Sequence, residues 1–151
     1  MNNVVNVKVK RLKSLAPKLI YHFEQNASVM KMYKIYMSYF SSGKYDPKDG
    51  VSVARYVKFD VADKCPELYP SVDLLKWWKG LSKDEQAATG NIVTYIKRYM
   101  EETLSKLDVH KLAKKLDGKV LLCYENLDNA FCYREVIQVW FEQAGYLCGE
   151  L

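Results

Sequence analysis

Val120-Leu121-Leu122-Cys123-Tyr124 is a run of apolar side chains with no polar interruption. A strand with water on one face alternates apolar and polar residues. A continuous short run suits a strand buried on both faces of a parallel sheet. Parallel neighbours cannot be joined by tight hairpins, so such a strand demands crossover connections of a dozen or more residues. The rest of the chain supplies them.

Met32 to Phe40 is rich in Tyr, Ile and Met and is stopped by Ser41-Ser42-Gly43, the pattern of a strand. A polar loop to Gly50 precedes a second strand expected from Val51 to about Phe59. From Pro66 the period changes. Ser71 is placed to cap a helix burying Leu74, Leu75 and Trp78, and Ser82 with Glu85 makes a capping box for a short helix to about Ala88. Thr89-Gly90-Asn91 allows a break. Ile92, Ile96, Tyr99, Thr103, Leu104 and Leu107 then form a helical stripe. Asp108 caps a further short helix, which Gly118 terminates. The last helix is expected from about Ala130 to Ala144, burying Val136, Ile137, Val139 and Trp140 and ending at Gly145. This order predicts an α/β three-layer fold with a short, mostly parallel sheet and a helix-rich middle segment.

A chain of 151 residues is one domain by length and buries about 69% of its unfolded surface, enough for a core without staples. Residues 32–151 form that domain. The formal charge of +5 is unevenly placed. Residues 1–34 hold seven basic side chains against one acidic, and the remainder holds 16 against 17. Residues 1–31 therefore read as a basic extension, helical in part, with Ser14 as cap and Leu15, Leu19, Ile20 and Phe23 on one face. Its Lys8, Lys10, Arg11, Lys13 and Lys18 are candidate nucleic-acid contacts, or else a solvated face that keeps the protein in solution.

No run of 18 apolar residues exists, so membrane insertion is not expected, and the N-terminus lacks the apolar core of a secretory signal. Cys65, Cys123, Cys132 and Cys148 are thus expected as free thiols in a reducing cytoplasm. No C-x-x-C pair occurs and only His22 and His110 supplement the cysteines, so neither a metal site nor a cofactor is implied.

Ligands of an open parallel sheet bind beyond the carboxyl ends of its strands. Three segments qualify: Ser38 to Ser42, Ala54 to Tyr56, and Cys123 to Arg134. In the third, Asn129 or Asp128 would cap the final helix and put Cys132 and Arg134 near its first turn, where the helix dipole favours anions and lowers a thiol's pKa. Glu125, at the strand tip, is the nearest acid or base. Each residue also has a plainer role open to it. Cys123 and Cys132 can simply pack, Glu125 can be a loop carboxylate, and Arg134 can pair with Glu125. The chain has no glycine-rich phosphate loop, no G-x-S-x-G elbow and no H-E-x-x-H.

Leu121-Leu122-Cys123-Tyr124-Glu125 followed by Phe131-Cys132-Tyr133-Arg134 resembles the LLCYE…FCHR signature of the domain of unknown function 488 family. Ser38-Tyr39-Phe40 is similar to its TSYF strand end, Val51 to Arg55 to its second strand, and Leu68-Tyr69-Pro70-Ser71 to its LAPS segment. The resemblance covers roughly residues 32–151. It implies a small Rossmann-like cytoplasmic domain in which two cysteines matter, by position Cys123 and Cys132. Tyr133 stands where that signature has histidine, and a neutral tyrosine, with a pKa near ~10, is no base at pH 7.

Two functional expectations follow from different chemistry. In the first, Ser38, Tyr39, Arg55, Cys123, Tyr133 and Arg134, with Glu125 and Cys132 beside them, bind a phosphate-bearing ligand, a nucleotide or nucleic acid, without catalysis. In the second, the protein is a cysteine-dependent enzyme acting on a nucleotide-like substrate. Cys132 is then the nucleophile or redox thiol, Glu125 the proton shuttle and Arg134 the anion stabiliser. A protein partner docked by the basic N-terminal helix is the third.

Overall fold

The computed structural model describes residues 33–151. The expected N-terminal helix and its candidate nucleic-acid contacts Lys8, Lys10, Arg11, Lys13 and Lys18 lie outside the described residues. Five strands form one sheet: β1 Lys34–Tyr39, β2 Gly50–Ser52, β3 Asp63–Lys64, β4 Val120–Cys123 and β5 Leu147–Glu150. Their order across the sheet is β3-β2-β4-β1-β5, and every pairing is parallel. The continuously apolar run is the central strand, with all four residues of β4 buried between β2 and β1.

Period-two alternation sorts the sheet into two faces. Ile35, Met37, Val51, Val53, Leu121 and Cys123 join one large core. Phe40, Ala54, Val120 and Leu122 join a smaller one on the opposite side. Helices α1 Val72–Lys79, α3 Thr89–Glu102, α4 Val109–Lys115 and α5 Arg134–Gln143 pack into the first core, while the short α2 Lys83–Ala87 buries no residue. Ile92, Tyr95, Ile96 and Tyr99 of α3, and Val136, Ile137 and Phe141 of α5, are its buried stripes.

Chain direction explains this division. Crossovers between parallel strands are right-handed, so connections running one way across a sheet lie on one face and those running back lie on the other. The β3–β4 and β4–β5 connections run in the same direction and carry all five helices. The β1–β2 and β2–β3 connections run back and are too short for helices. Their Tyr45, Val57 and Val61 pack on the second core instead. The third layer of this Rossmann-like α/β fold is thus built of loops.

Local signals hold where they are capping signals. Ser71 Oγ accepts from the Leu74 amide at 3.1 Å, Ser82 and Glu85 form their reciprocal box, and Asp108 accepts from the His110 and Lys111 amides. Gly118 has φ +75° and Gly145 φ +94°, backbone conformations that exclude most side chains. Boundaries set by tertiary pairing differ from expectation. The second strand stops at Ser52, whose hydroxyl bonds both the amide and carbonyl of Ala54 and turns the chain out of the sheet. Thr89-Gly90-Asn91 is no break but the first turn of α3; the interruption is the extended Ala88. No helix among the described residues is long and apolar enough to cross a membrane.

Candidate functional site

β2 leads outward to β3, whereas β4 leads across β1 to β5. The two connections leave neighbouring strands in opposite directions and open a crevice at their carboxyl ends, the place where open α/β sheets bind ligands. The crevice exists. Its inner lobe, about 160 Å³, is lined by Ala54, Arg55 and Tyr56 after β2 and by Cys123, Tyr124 and Glu125 at the end of β4. Trp78, Tyr95, Phe131 and Tyr133 make its aromatic wall. Tyr95 meets Trp78 and Phe131 edge-on, at 5.0 and 5.5 Å between centroids, and stacks with Tyr133 at 6.3 Å.

Of the residues the sequence singled out, Arg55, Cys123, Glu125, Cys132 and Tyr133 meet at this crevice. Ser38, Tyr39 and Arg134 are absent from its lining. Ser38 is in register with Leu122, whose side chain belongs to the opposite core, and it bonds Ser42 Oγ at 2.7 Å there. Tyr39 is in register with Cys123 but on the β1 side of β4, away from β2.

The expected start of the last helix needs correcting. Asn126 folds its own turn, its side chain accepting from the Asp128 amide at 3.0 Å and its carbonyl from Asn129 and Ala130. Phe131, Cys132 and Tyr133 then run inward and are all buried. Neither Asp128 nor Asn129 caps α5, which begins at Arg134 with Tyr133 at its N-cap and no side-chain cap. Cys132 therefore precedes the first turn.

Arg134 is also not an anion anchor. Its side chain is fully buried, with Nε and Nη2 each 2.9 Å from one oxygen of Glu150 and Nη1 donating to the Glu125 carbonyl. The guanidinium is committed to the C-terminal strand and to the loop after β4. Glu125 meets Arg134 through its backbone, not its carboxylate. The Glu125 side chain is exposed and hydrogen-bonds to neither cysteine. It is therefore no proton shuttle within the pair.

Cys123 and Cys132 lie together on the crevice wall, their sulfurs 3.0 Å apart with Cys132 as donor. Both are buried, and the crevice borders both. Two thiols this close titrate as a pair, and one of them carries the charge. Cys123 is that one. The Cys132 hydrogen bond holds its pKa below the ordinary thiol value against the opposing effect of burial. The charge of Arg134 and the Tyr124 amide act in the same direction. The Tyr133 hydroxyl donates its one proton to the Val53 carbonyl at 2.5 Å, which ties its ring to the end of β2.

Cys132 goes the other way. Burial pushes its thiol well up, and bonding to Cys123 and facing its charge add to that. Of the two thiols it is therefore Cys123, not the expected Cys132, whose pKa is lowered, because the start of α5 lies beyond Cys132 and Cys132 donates its hydrogen bond to Cys123. The other cysteines are inert by the same physics. Burial, with Glu67 beside it, pushes Cys65 up to about 12, and burial raises Cys148 as well.

Sequence reasoning missed Trp78, Tyr95 and Phe131 as crevice walls and Lys79 as a crevice cation. Trp78 and Tyr95 sit at core positions of amphipathic helices, and nothing in periodicity separates a core aromatic from one that also borders a cavity. No protein-family model, curated protein or solved structure matches the chain.

Proposed function

We propose that the crevice between β2 and β4 is a cysteine-dependent redox site in which Cys123 is the attacking thiolate and Cys132 the resolving thiol. The observation that carries this reading is the 3.0 Å contact from Cys132 to Cys123 on the wall of the switch-point crevice. A thiolate needs stabilisation without loss of access, and a second thiol within bonding reach makes its chemistry reversible. The resemblance to the domain of unknown function 488 family, in which two cysteines stand at these positions, supports the same pair.

The electron balance is that of thiol–disulfide exchange. Cys123 sulfur attacks one sulfur of a small disulfide, forming a mixed disulfide and expelling the other half as a thiolate. Cys132 gives up its proton and attacks the Cys123 sulfur, closing a Cys123–Cys132 disulfide and releasing the second half as a thiol. Two electrons pass from the pair to the substrate, and an external dithiol restores the reduced state. Arg134 acts through Cys123 as a positioning residue, by its charge.

Treating the full chain with hydroxyethyl disulfide, digesting it under acid quench and mapping the peptides tests this reading. The expected product is an internal Cys123–Cys132 disulfide while Cys65 and Cys148 stay reduced. A protein that keeps all four thiols, or that forms stable adducts at Cys65 or Cys148 first, overturns it.

A further inference from the structure

The charges around the crevice are one-sided. The inner lobe beside Cys123 carries Arg55 and Lys79, and an adjoining lobe of about 390 Å³ that shares Trp78, Gln86, Glu125 and Phe131 adds Lys83. Glu125 is the one carboxylate on either lobe. The ion pairs among the described residues are Lys48 with Asp46, Arg98 with Glu102, Lys115 with Glu67 and Arg134 with Glu150. Among the described residues, Arg55, Lys79 and Lys83 take part in none of these pairs.

Two of them are also held in place. The Arg55 guanidinium donates through Nε and Nη2 to the Pro70 carbonyl at 3.3 and 3.0 Å and lies 5.5 Å from the Tyr69 ring centre. That leaves its Nη1 edge uncommitted. Lys79 Nζ stands 5.2 Å from the ring centre of the exposed Tyr56. A cleft lined by one sign of charge concentrates ligands of the other sign and raises their association rate by roughly 10 to 1,000-fold.

Size narrows the ligand further. Pockets for drug-sized molecules run to about 300–1,000 Å³. The inner lobe alone is below that range, and the two lobes together fall inside it. The reacting end of a substrate therefore fits against Cys123 while its remainder extends past Trp78 and Phe131 toward Lys83.

Resting on the redox reading above, we infer that the substrate of the Cys123–Cys132 pair is a small disulfide carrying anionic groups, with Arg55, Lys79 and Lys83 receiving those groups. The phosphate-bearing ligand expected from the sequence shares this charge, but its anchor shifts from Arg134 to the cations of the crevice.

The test compares three unactivated dialkyl disulfides on the full chain: dithiodipropionate with two carboxylates, cystamine with two ammonium groups, and neutral hydroxyethyl disulfide. Each rate of Cys123–Cys132 oxidation is divided by that reagent's rate with a neutral small thiol. At low ionic strength dithiodipropionate is expected to exceed cystamine by about tenfold or more. The preference should collapse at about 1 M salt, where the screening length falls to about 3 Å. It should also collapse in the exposed double variant Lys79→Glu with Lys83→Glu. Equal normalised rates for all three reagents would overturn this inference and leave the redox pair standing. A preference that survives both charge reversals would overturn the assignment to these residues. Failure of the pair to oxidise with any reagent would overturn the redox reading beneath it.

Discussion

Arg134 and Glu150 form a two-point ion pair, Nε and Nη2 each 2.9 Å from a carboxylate oxygen, that ties the first residue of α5 to the last strand. The arginine side chain is wholly buried and that of the glutamate is 20% exposed. Removing one partner of such a pair leaves an uncompensated charge in the core, at a cost of about 3–5 kcal/mol. Glu150→Ala should therefore lower the melting temperature by roughly 10 °C in a domain of this size. Arg134→Met with Glu150→Leu removes both charges and should recover most of that loss. Calorimetry of the two variants checks the pair; a Glu150→Ala protein as stable as the parent would show that the contact contributes nothing.

The lowered Cys123 pKa has a pH signature. Only the thiolate is alkylated, so Cys123 modification by iodoacetamide should reach half its maximal rate below pH ~8.5, the midpoint of an ordinary thiol. Cys132→Ala removes the hydrogen bond that most lowers Cys123 and leaves burial, which raises it. The midpoint must then move up. Rate against pH, read by mass spectrometry of the Cys123 peptide, decides this, and an unmoved midpoint in Cys132→Ala contradicts it.

Cys65 and Cys148 are internal controls. Burial raises both, Cys65 to about 12, so neither offers thiolate at neutral pH. At pH 7 and one equivalent of reagent, label should accumulate on Cys123 at least tenfold faster than on either. Comparable labelling of Cys65 would mean that its surroundings open far more readily than its packing implies.

Ser71 links two helices. Its hydroxyl accepts from the Leu74 amide and donates to Glu102 Oε1 at 3.0 Å, and Glu102 also pairs with Arg98 one turn back. Ser71→Ala loses the α1 cap and that link together, a destabilisation of about 1–2 kcal/mol. Ser71→Thr keeps both roles and should stay within about 0.5 kcal/mol of the parent. Urea denaturation measures both.

Much of this architecture is written locally in the chain. The apolar run is β4, and Ser71, Ser82 with Glu85, and Asp108 begin helices because a capping oxygen and its amide lie within a few residues of each other. The tyrosine- and isoleucine-rich β1 and the start of β2 are legible as well, but β3 and β5 are not local objects. β3 is two exposed residues, Asp63 and Lys64, that count as strand only because β2 pairs with them. β5 contains Gly149 and is held by β1 and by the Leu151 amide bonding the Met37 carbonyl.

The site divides the same way. Arg55, Cys123, Glu125, Cys132 and Tyr133 lie on segments the sequence marked as strand ends, and they do meet. Ser38 fails by strand parity, a one-residue matter of which face a side chain takes. Arg134 fails because its partner, Glu150, sits on a strand with no sequence signal of its own. The expectation of an activated Cys132 depended on where α5 begins, and the turn at Asn126 moves that start from about Ala130 to Arg134.

The division of labour between the two sulfurs is tested most directly by trapping. Cys132→Ala and Cys123→Ala proteins are each treated with hydroxyethyl disulfide at neutral pH, quenched in acid and mapped by mass spectrometry. With the resolving thiol gone, Cys132→Ala should accumulate a stable mixed disulfide on Cys123, while Cys123→Ala leaves Cys132 unmodified over the same time. A mixed disulfide that forms on Cys132 in Cys123→Ala, with none on Cys123 in Cys132→Ala, would contradict the assignment of Cys123 as the attacking thiolate.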